Sequence, residues 1–229
     1  MTQARYASLG ITRHMAKKGE RGRCVTGVEG LDNILGGGIP TSSIVLVAGA
    51  CGTGKTSLGL EFLVRGVMAG EPGLLITTVE GPDKLLSNVP RFILSGSDLD
   101  EAAIKKLVAA LAKQIAAHRI KRLVIDTIDT VLTEIKDDAL DALLLGELSE
   151  VLFKNECTAL LVSSSEKCER IEGRVADGIV MMGNLERKGD LLRTMQVVKM
   201  KGTSHSRSKY VVDLTDAGVL VTPLLKGGL

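Results

Sequence analysis

Three arrangements in this chain could handle a phosphate: closely spaced glycines, a lysine followed by a hydroxyl, and carboxylates that close apolar runs. The most specific is Gly49-Ala50-Cys51-Gly52-Thr53-Gly54-Lys55-Thr56, which fits the phosphate-binding pattern Gly-x-x-x-x-Gly-Lys-Thr. Glycines at 49, 52 and 54 let the backbone wrap close to a polyphosphate and turn its N–H groups inward, where bulkier side chains would obstruct it. Lys55 offers a point charge to the β and γ phosphates, Thr56 a hydroxyl to Mg²⁺, and a helix beginning near Lys55 its positive end. Gly49 through Ser57 is therefore the candidate nucleotide loop, with ATP or ADP and Mg²⁺ as its ligands.

Two carboxylates belong to the same chemistry. Leu123-Val124-Ile125-Asp126 is an apolar run closing on an aspartate about seventy residues after the loop, the Walker B arrangement in which a strand-end carboxylate holds the water shell of Mg²⁺. Glu80 follows the apolar run from Gly73 to Val79 and falls at its C-terminal end, where open α/β sheets hold their ligands. Zinc chemistry is excluded by the cysteines, because Cys24, Cys51, Cys157 and Cys168 show neither C-x-x-C spacing nor paired histidines. His14 and His118 have no partner residues that would suggest a role.

These groups need a scaffold of alternating strands and helices. The branched run from Ile44 leads into the loop as a buried strand, and Leu60, Leu63, Val64 and Val67 follow at helical spacing until Gly70 stops them. Gly73 to Val79, Leu123 to Asp126 and Thr158 to Ser164 read as further buried strands. Arg91 to Ser95 reads as a brief strand and Pro82 to Val89 as a short helix. Longer helices are predicted from Asp98 or Asp100, with Ile104, Leu107, Val108, Leu111 and Ile115 on one face, and over Asp137 to Asn155. Phe62 and Phe153 fall on helices and are assigned to the core. The pattern then changes to paired strands, Gly178–Glu186 with Asp190–Met200 and Ser208–Leu214 with Gly218–Pro223. Alternation followed by hairpins predicts an α/β fold: a mostly parallel sheet flanked by helices, with antiparallel strands at its C-terminal edge.

At 229 residues with 45% hydrophobic content the chain suits one α/β domain with a sizeable core, and its net charge of +2 singles out neither nucleic acid nor membrane. No run approaches the roughly 20 apolar residues that span a bilayer, and no apolar leader opens the chain, so a cytoplasmic protein is expected. Residues 1–24 carry Arg5, Arg13, Lys17, Lys18, Arg21 and Arg23 against Glu20 alone, which reads as a flexible basic arm before a domain over 25–229.

Several stretches together resemble the KaiC-like ATPases of the RecA/RadA superfamily, over Val25 to Leu224. They are Thr26-Gly27-Val28-Glu29-Gly30-Leu31-Asp32 with Gly36-Gly37-Gly38-Ile39-Pro40, the phosphate loop, Glu80, Leu123–Asp126, and Lys199-Met200-Lys201-Gly202-Thr203-Ser204-His205. The resemblance implies a RecA-type fold, a single-domain ring that is commonly a hexamer, and ATP bound between subunits. It makes Glu80 the residue that polarises the attacking water, and Lys199 and Lys201 cations that reach the γ-phosphate of the neighbouring subunit. It places Thr203 and His205 in the same nucleotide-facing segment. Such chains usually carry two successive glutamates where this one has Glu80-Gly81, which implies slow hydrolysis. The connections over 82–95 and 165–178 are shorter than the superfamily's.

Three functions compete on these grounds. The first is a ring-forming ATPase using Lys55, Thr56, Asp126 and Glu80 in cis and Lys199 or Lys201 in trans. The second is a sensor that binds ATP, changes its contacts with an unidentified protein partner and barely hydrolyses the nucleotide, as Gly81 suggests. The third is a recombination-mediator-like protein that binds single-stranded DNA through the basic arm. Few stacking aromatics and no room for a further DNA-binding domain count against that third reading.

Overall fold

Runs of consecutive branched apolar residues need cover on both faces of a sheet, and the architecture supplies it. The structure, a computed structural model, describes residues 22–77, 91–92, 100–135, 137–164 and 175–224. Its strands are β1 (Arg23–Cys24), β2 (Ile39–Pro40), β3 (Ile44–Ala48), β4 (Gly73–Thr77), β5 (Arg91–Phe92), β6 (Arg122–Asp126), β7 (Thr158–Ser163), β8 (Gly178–Arg187), β9 (Asp190–Met200), β10 (Lys209–Thr215) and β11 (Gly218–Pro223). The helices are α1 (Leu31–Ile34), α2 (Lys55–Met68), α3 (Glu101–Ala117), α4 (Ile128–Glu134) and α5 (Asp138–Asn155).

One sheet runs in the order β11-β10-β9-β8-β3-β7-β6-β4-β5. The segment from β8 to β5 is parallel, and β9, β10 and β11 add to its edge antiparallel. This is the mostly parallel sheet with an antiparallel C-terminal edge that the sequence predicts. Alternation along β3 shows how both faces are filled. Ile44, Leu46 and Ala48 join α3, α4 and α5 on one side, while Val45 and Val47 join Leu58, Phe62 and Leu63 of α2 on the other. Asp100 caps α3 by accepting from the Ala103 N–H at 2.7 Å, and Asp137 caps α5 through the Ala139 N–H at 2.7 Å. Among the described residues no helix is long and apolar enough to cross a membrane.

Three observations depart from the sequence reading. The helix α4 was not expected; it buries Ile128, Val131 and Leu132 directly after Asp126. Phe153 is 49% exposed rather than core, whereas Phe62 is buried. Arg23 and Cys24 pair with Pro40 and Ile39, so the fold starts inside the stretch read as an arm. The helix expected over 82–89 lies outside the described residues.

The glycine-rich start of the domain is held by two side chains. Asp32 accepts from Thr26 N and Thr26 Oγ1 at 2.8 Å and from Gly27 N at 3.0 Å, folding Thr26–Asp32 into a closed loop. Gly30 turns with φ 84° where a Cβ would strike the Val221 carbonyl, and Val221 N donates to Glu29 O at 2.9 Å. The second is Arg122, which reaches Val25 O, Thr26 O and Phe62 O from the first position of β6.

Candidate functional site

The parallel strands β3, β7 and β6 end side by side at Ala48, Ser163 and Asp126, and the phosphate loop springs from the first of them. Loop geometry follows from its glycines. Gly49 has φ 149° and packs so close to the Met182 carbonyl that a Cβ would collide with it. Gly54, at φ 96°, is the N-cap of α2 and offers no side chain to the first turn, leaving that turn's N–H groups directed at the loop. Thr53 Oγ1 donates to Ala50 O at 2.9 Å and braces the turn. Lys55 is 8% exposed, and its Nζ donates to Gly49 O and Ala50 O at 2.7 Å each. The ammonium is thus held at the loop's centre by neutral acceptors, for which an anionic phosphate oxygen is a stronger competitor.

Opposite it, Thr56 Oγ1 donates to Asp126 Oδ2 at 2.7 Å across the gap between α2 and β6. A hydroxyl and a carboxylate are hard oxygen donors. Among the described residues no group of three or more His, Cys, Asp or Glu could cage a metal. This pair fits Mg²⁺, which keeps several waters and takes its protein ligands sparingly beside phosphate oxygens. The first residue of α4 lies two positions after Asp126, so the turn that ends β6 is fixed at once by a helix.

The other sequence candidates stand elsewhere. Glu80 lies outside the described residues; Thr77, three positions earlier, pairs in register with Asp126. Lys199 is opposite Ile179 on β9, and Lys201 donates its backbone N–H to Asp177 O, which in turn neighbours Ile44. Lys201 is therefore level with Ile44 at the start of β3, about 13 Å of strand from its loop end, and Lys199 is level with Leu46, about 7 Å from that end. The Lys201 ammonium sits 3.5 Å from the buried Asp177 carboxylate. Thr203 Oγ1 donates to Leu35 O at 3.0 Å, and His205 Nδ1 is 3.2 Å from Ser206 O, at the same far end. Within one chain, Lys55, Thr56 and Asp126 come together while Lys199, Lys201 and His205 do not.

Two residues that pattern reading passed over do approach the loop. Arg193 of β9 donates from Nε to Gly52 O at 3.1 Å, although 141 positions separate them. Asp129, in the first turn of α4, holds the end of β7. Nothing in the local sequence marks Arg193; only the antiparallel pairing of β9 on β8 brings it there.

Known proteins share this arrangement over most of its length. A family model for the KaiC ATPase matches residues 24–103 and 94–226. A UPF0273 protein of Pyrococcus horikoshii is 31% identical over 241 residues, covering 90% of this chain and 97% of its own. The circadian clock oscillator protein KaiC of Synechococcus elongatus is 28% identical over 230 residues, which span 87% of this chain and 44% of that longer protein. The crystal structure of a KaiC-like protein from Pyrococcus horikoshii matches with a TM-score of 0.77 at 25% identity, over 89% of this chain and 100% of the other. Loop, strand order and the paired C-terminal strands thus occur together across nearly the whole chain, which belongs to the KaiC ATPase family.

Proposed function

We propose that this chain binds ATP with Mg²⁺ at the loop Gly49–Ser57 and hydrolyses it slowly to ADP and phosphate within a ring of identical subunits. Membership of an ATPase family supports the nucleotide. The observation that carries the Mg²⁺-dependent part is the 2.7 Å bond between Thr56 and Asp126, which joins the two motifs through hard oxygen donors. Bound Mg²⁺ supplies positive charge to the phosphate oxygens; the remaining work falls to the chain. The backbone N–H groups of the loop and α2 orient the phosphates, and Lys55 exchanges its carbonyl partners for them. Glu80, just beyond the strand whose end pairs with Asp126, orients the attacking water. Lys199 and Lys201 act on the site of the adjacent subunit, a reading supported by their distance from the loop of their own chain.

The test is nucleotide binding and phosphate release measured with and without Mg²⁺. Thr56→Val and Asp126→Asn are expected to abolish the tightening of ATP binding by Mg²⁺, and Glu80→Gln to lower phosphate release while binding persists. Equal turnover in Glu80→Gln and the unsubstituted chain would remove the catalytic role of Glu80. The glycine after Glu80 favours a second reading, an ATP sensor that changes partner contacts without turnover. Tight Mg²⁺-ATP binding with no phosphate release in the unsubstituted chain would select it.

A further inference from the structure

We propose that Asp129 is a positioning residue of the phosphate site, closing a circuit of bonds that ties the two ends of the loop to the Asp126 strand. The proposal rests on the Mg²⁺-nucleotide reading of Thr56 and Asp126. Asp129 Oδ1 accepts from Ser163 Oγ at 2.8 Å, and its Oδ2 accepts from Ser164 N at 2.5 Å and Ser164 Oγ at 2.7 Å. Ser163 is the last residue of β7, and its carbonyl accepts from Gly49 N at 3.3 Å, where the loop begins. From Asp129 the chain runs back three residues to Asp126, whose carboxylate accepts from Thr56 where the loop ends. The circuit is therefore Gly49, Ser163, Asp129, Asp126 and Thr56.

Its physical role follows from where the sheet stops. In register, Ala48 pairs with Ser163 and Asp126 with Val162, and these pairs are the last of their ladders. Past those pairs the Gly49 N–H still donates to Ser163 O, so whatever holds Ser163 also sets how far Gly49 sits from the Asp126 carboxylate. Asp129 supplies that constraint, because α4 starts immediately after β6 and carries the carboxylate across to β7 in its first turn. Three donors converge on its two oxygens, an arrangement suited to holding geometry rather than to taking a substrate proton. A carboxylate that holds the strand end beside a metal ligand affects the metal site by keeping that ligand oriented. The sequence shows nothing of this, since Asp129 and Ser163 become neighbours only through the pairing of β6 with β7.

The experiment measures binding of a fluorescent ATP analogue with Mg²⁺ and with EDTA, and reads the gain in affinity that Mg²⁺ gives. Asp129→Ala is expected to lose about tenfold or more of that gain, with affinity in EDTA little changed. Asp129→Asn, whose amide oxygen still accepts from Ser164 and whose NH₂ meets the Ser163 hydroxyl, should recover most of it. Ser164→Ala removes one donor from an exposed position and reports a partial loss even where Asp129→Ala folds poorly. A full gain in both Asp129→Ala and Ser164→Ala overturns the proposal. So does an Asp129→Asn variant no better than Asp129→Ala, because charge rather than hydrogen bonding would then matter. If the unsubstituted chain itself shows no gain, the Mg²⁺-nucleotide reading falls and takes this proposal with it.

Discussion

At position 122 a guanidinium lies 1% exposed, bonded to Glu71, to the carbonyls of Val25, Thr26 and Phe62, and stacked 4.7 Å over the Phe62 ring. The partners come from the start of the domain, from α2 and from the turn that follows it, so one side chain fastens these to β6. Removing it strands three carbonyls and a carboxylate, and Arg122→Met is expected to cost about 3–5 kcal/mol, read as a lower midpoint in urea unfolding. The same region holds two buried thiols. Burial pushes Cys24 up to about 11 and Cys157 up to about 12, from an ordinary 9.0. The folded state thus keeps protons that the unfolded chain releases, so their contribution is complete below pH 9 and disappears as pH rises through the folded values. Unfolding midpoints measured from pH 8 to pH 11 should fall, and Cys24→Ser should flatten that decline. Alkylation near pH 8 should mark Cys51, which is exposed, and spare Cys24 and Cys157.

Among the elements, the strands were the most legible, because both faces of the parallel segment are buried and each strand reads as an unbroken apolar run. Helix ends were legible where a carboxylate could cap, as at Asp100 and Asp137. The helix α4 was not, being only seven residues long with Asp129, Thr130 and Thr133 between its apolar positions. Phe153 misled because it follows the inward Leu152 by one position, about 100° around the helix and off the buried stripe. Of the candidate site, the loop and Asp126 were readable from motif order, whereas Arg193 and Asp129 depend on pairings that a linear pattern does not reveal. The segment Thr26–Asp32 also acquires a physical reason: Asp32 satisfies three donors within six residues and shapes the loop that meets β11. Asp32→Ala leaves those donors unpaired and should destabilise the fold by about 1–3 kcal/mol, measurable by thermal unfolding, with ATP binding at the distant phosphate loop preserved.

For the whole molecule the decisive relation is between the two ends of the sheet. Because β9 runs antiparallel to β8, and β8 parallel to β3, the Lys199–His205 segment returns to the end opposite the phosphate loop. A site built from both must be shared between copies, and mixing inactive chains tests this directly. Lys55→Ala and Lys201→Ala, each without turnover alone, should regain about a quarter of normal turnover as an equal mixture, since that share of random interfaces pairs two intact halves. No recovery, in mixtures shown by mass to exchange subunits, would exclude a shared site. The seam at the other margin of the sheet bears on how the chain is made. Glu29 joins Leu220 and Val221, and Ile34 O accepts from Ser206 N. The opening of the described domain therefore has one set of permanent neighbours, those of Glu29 and Ile34, that lies near the end of the chain. Until β11 has been synthesised Glu29 lacks the strand it seals against, so this seam closes late, after the contacts that Arg122 and Phe62 make with the same opening.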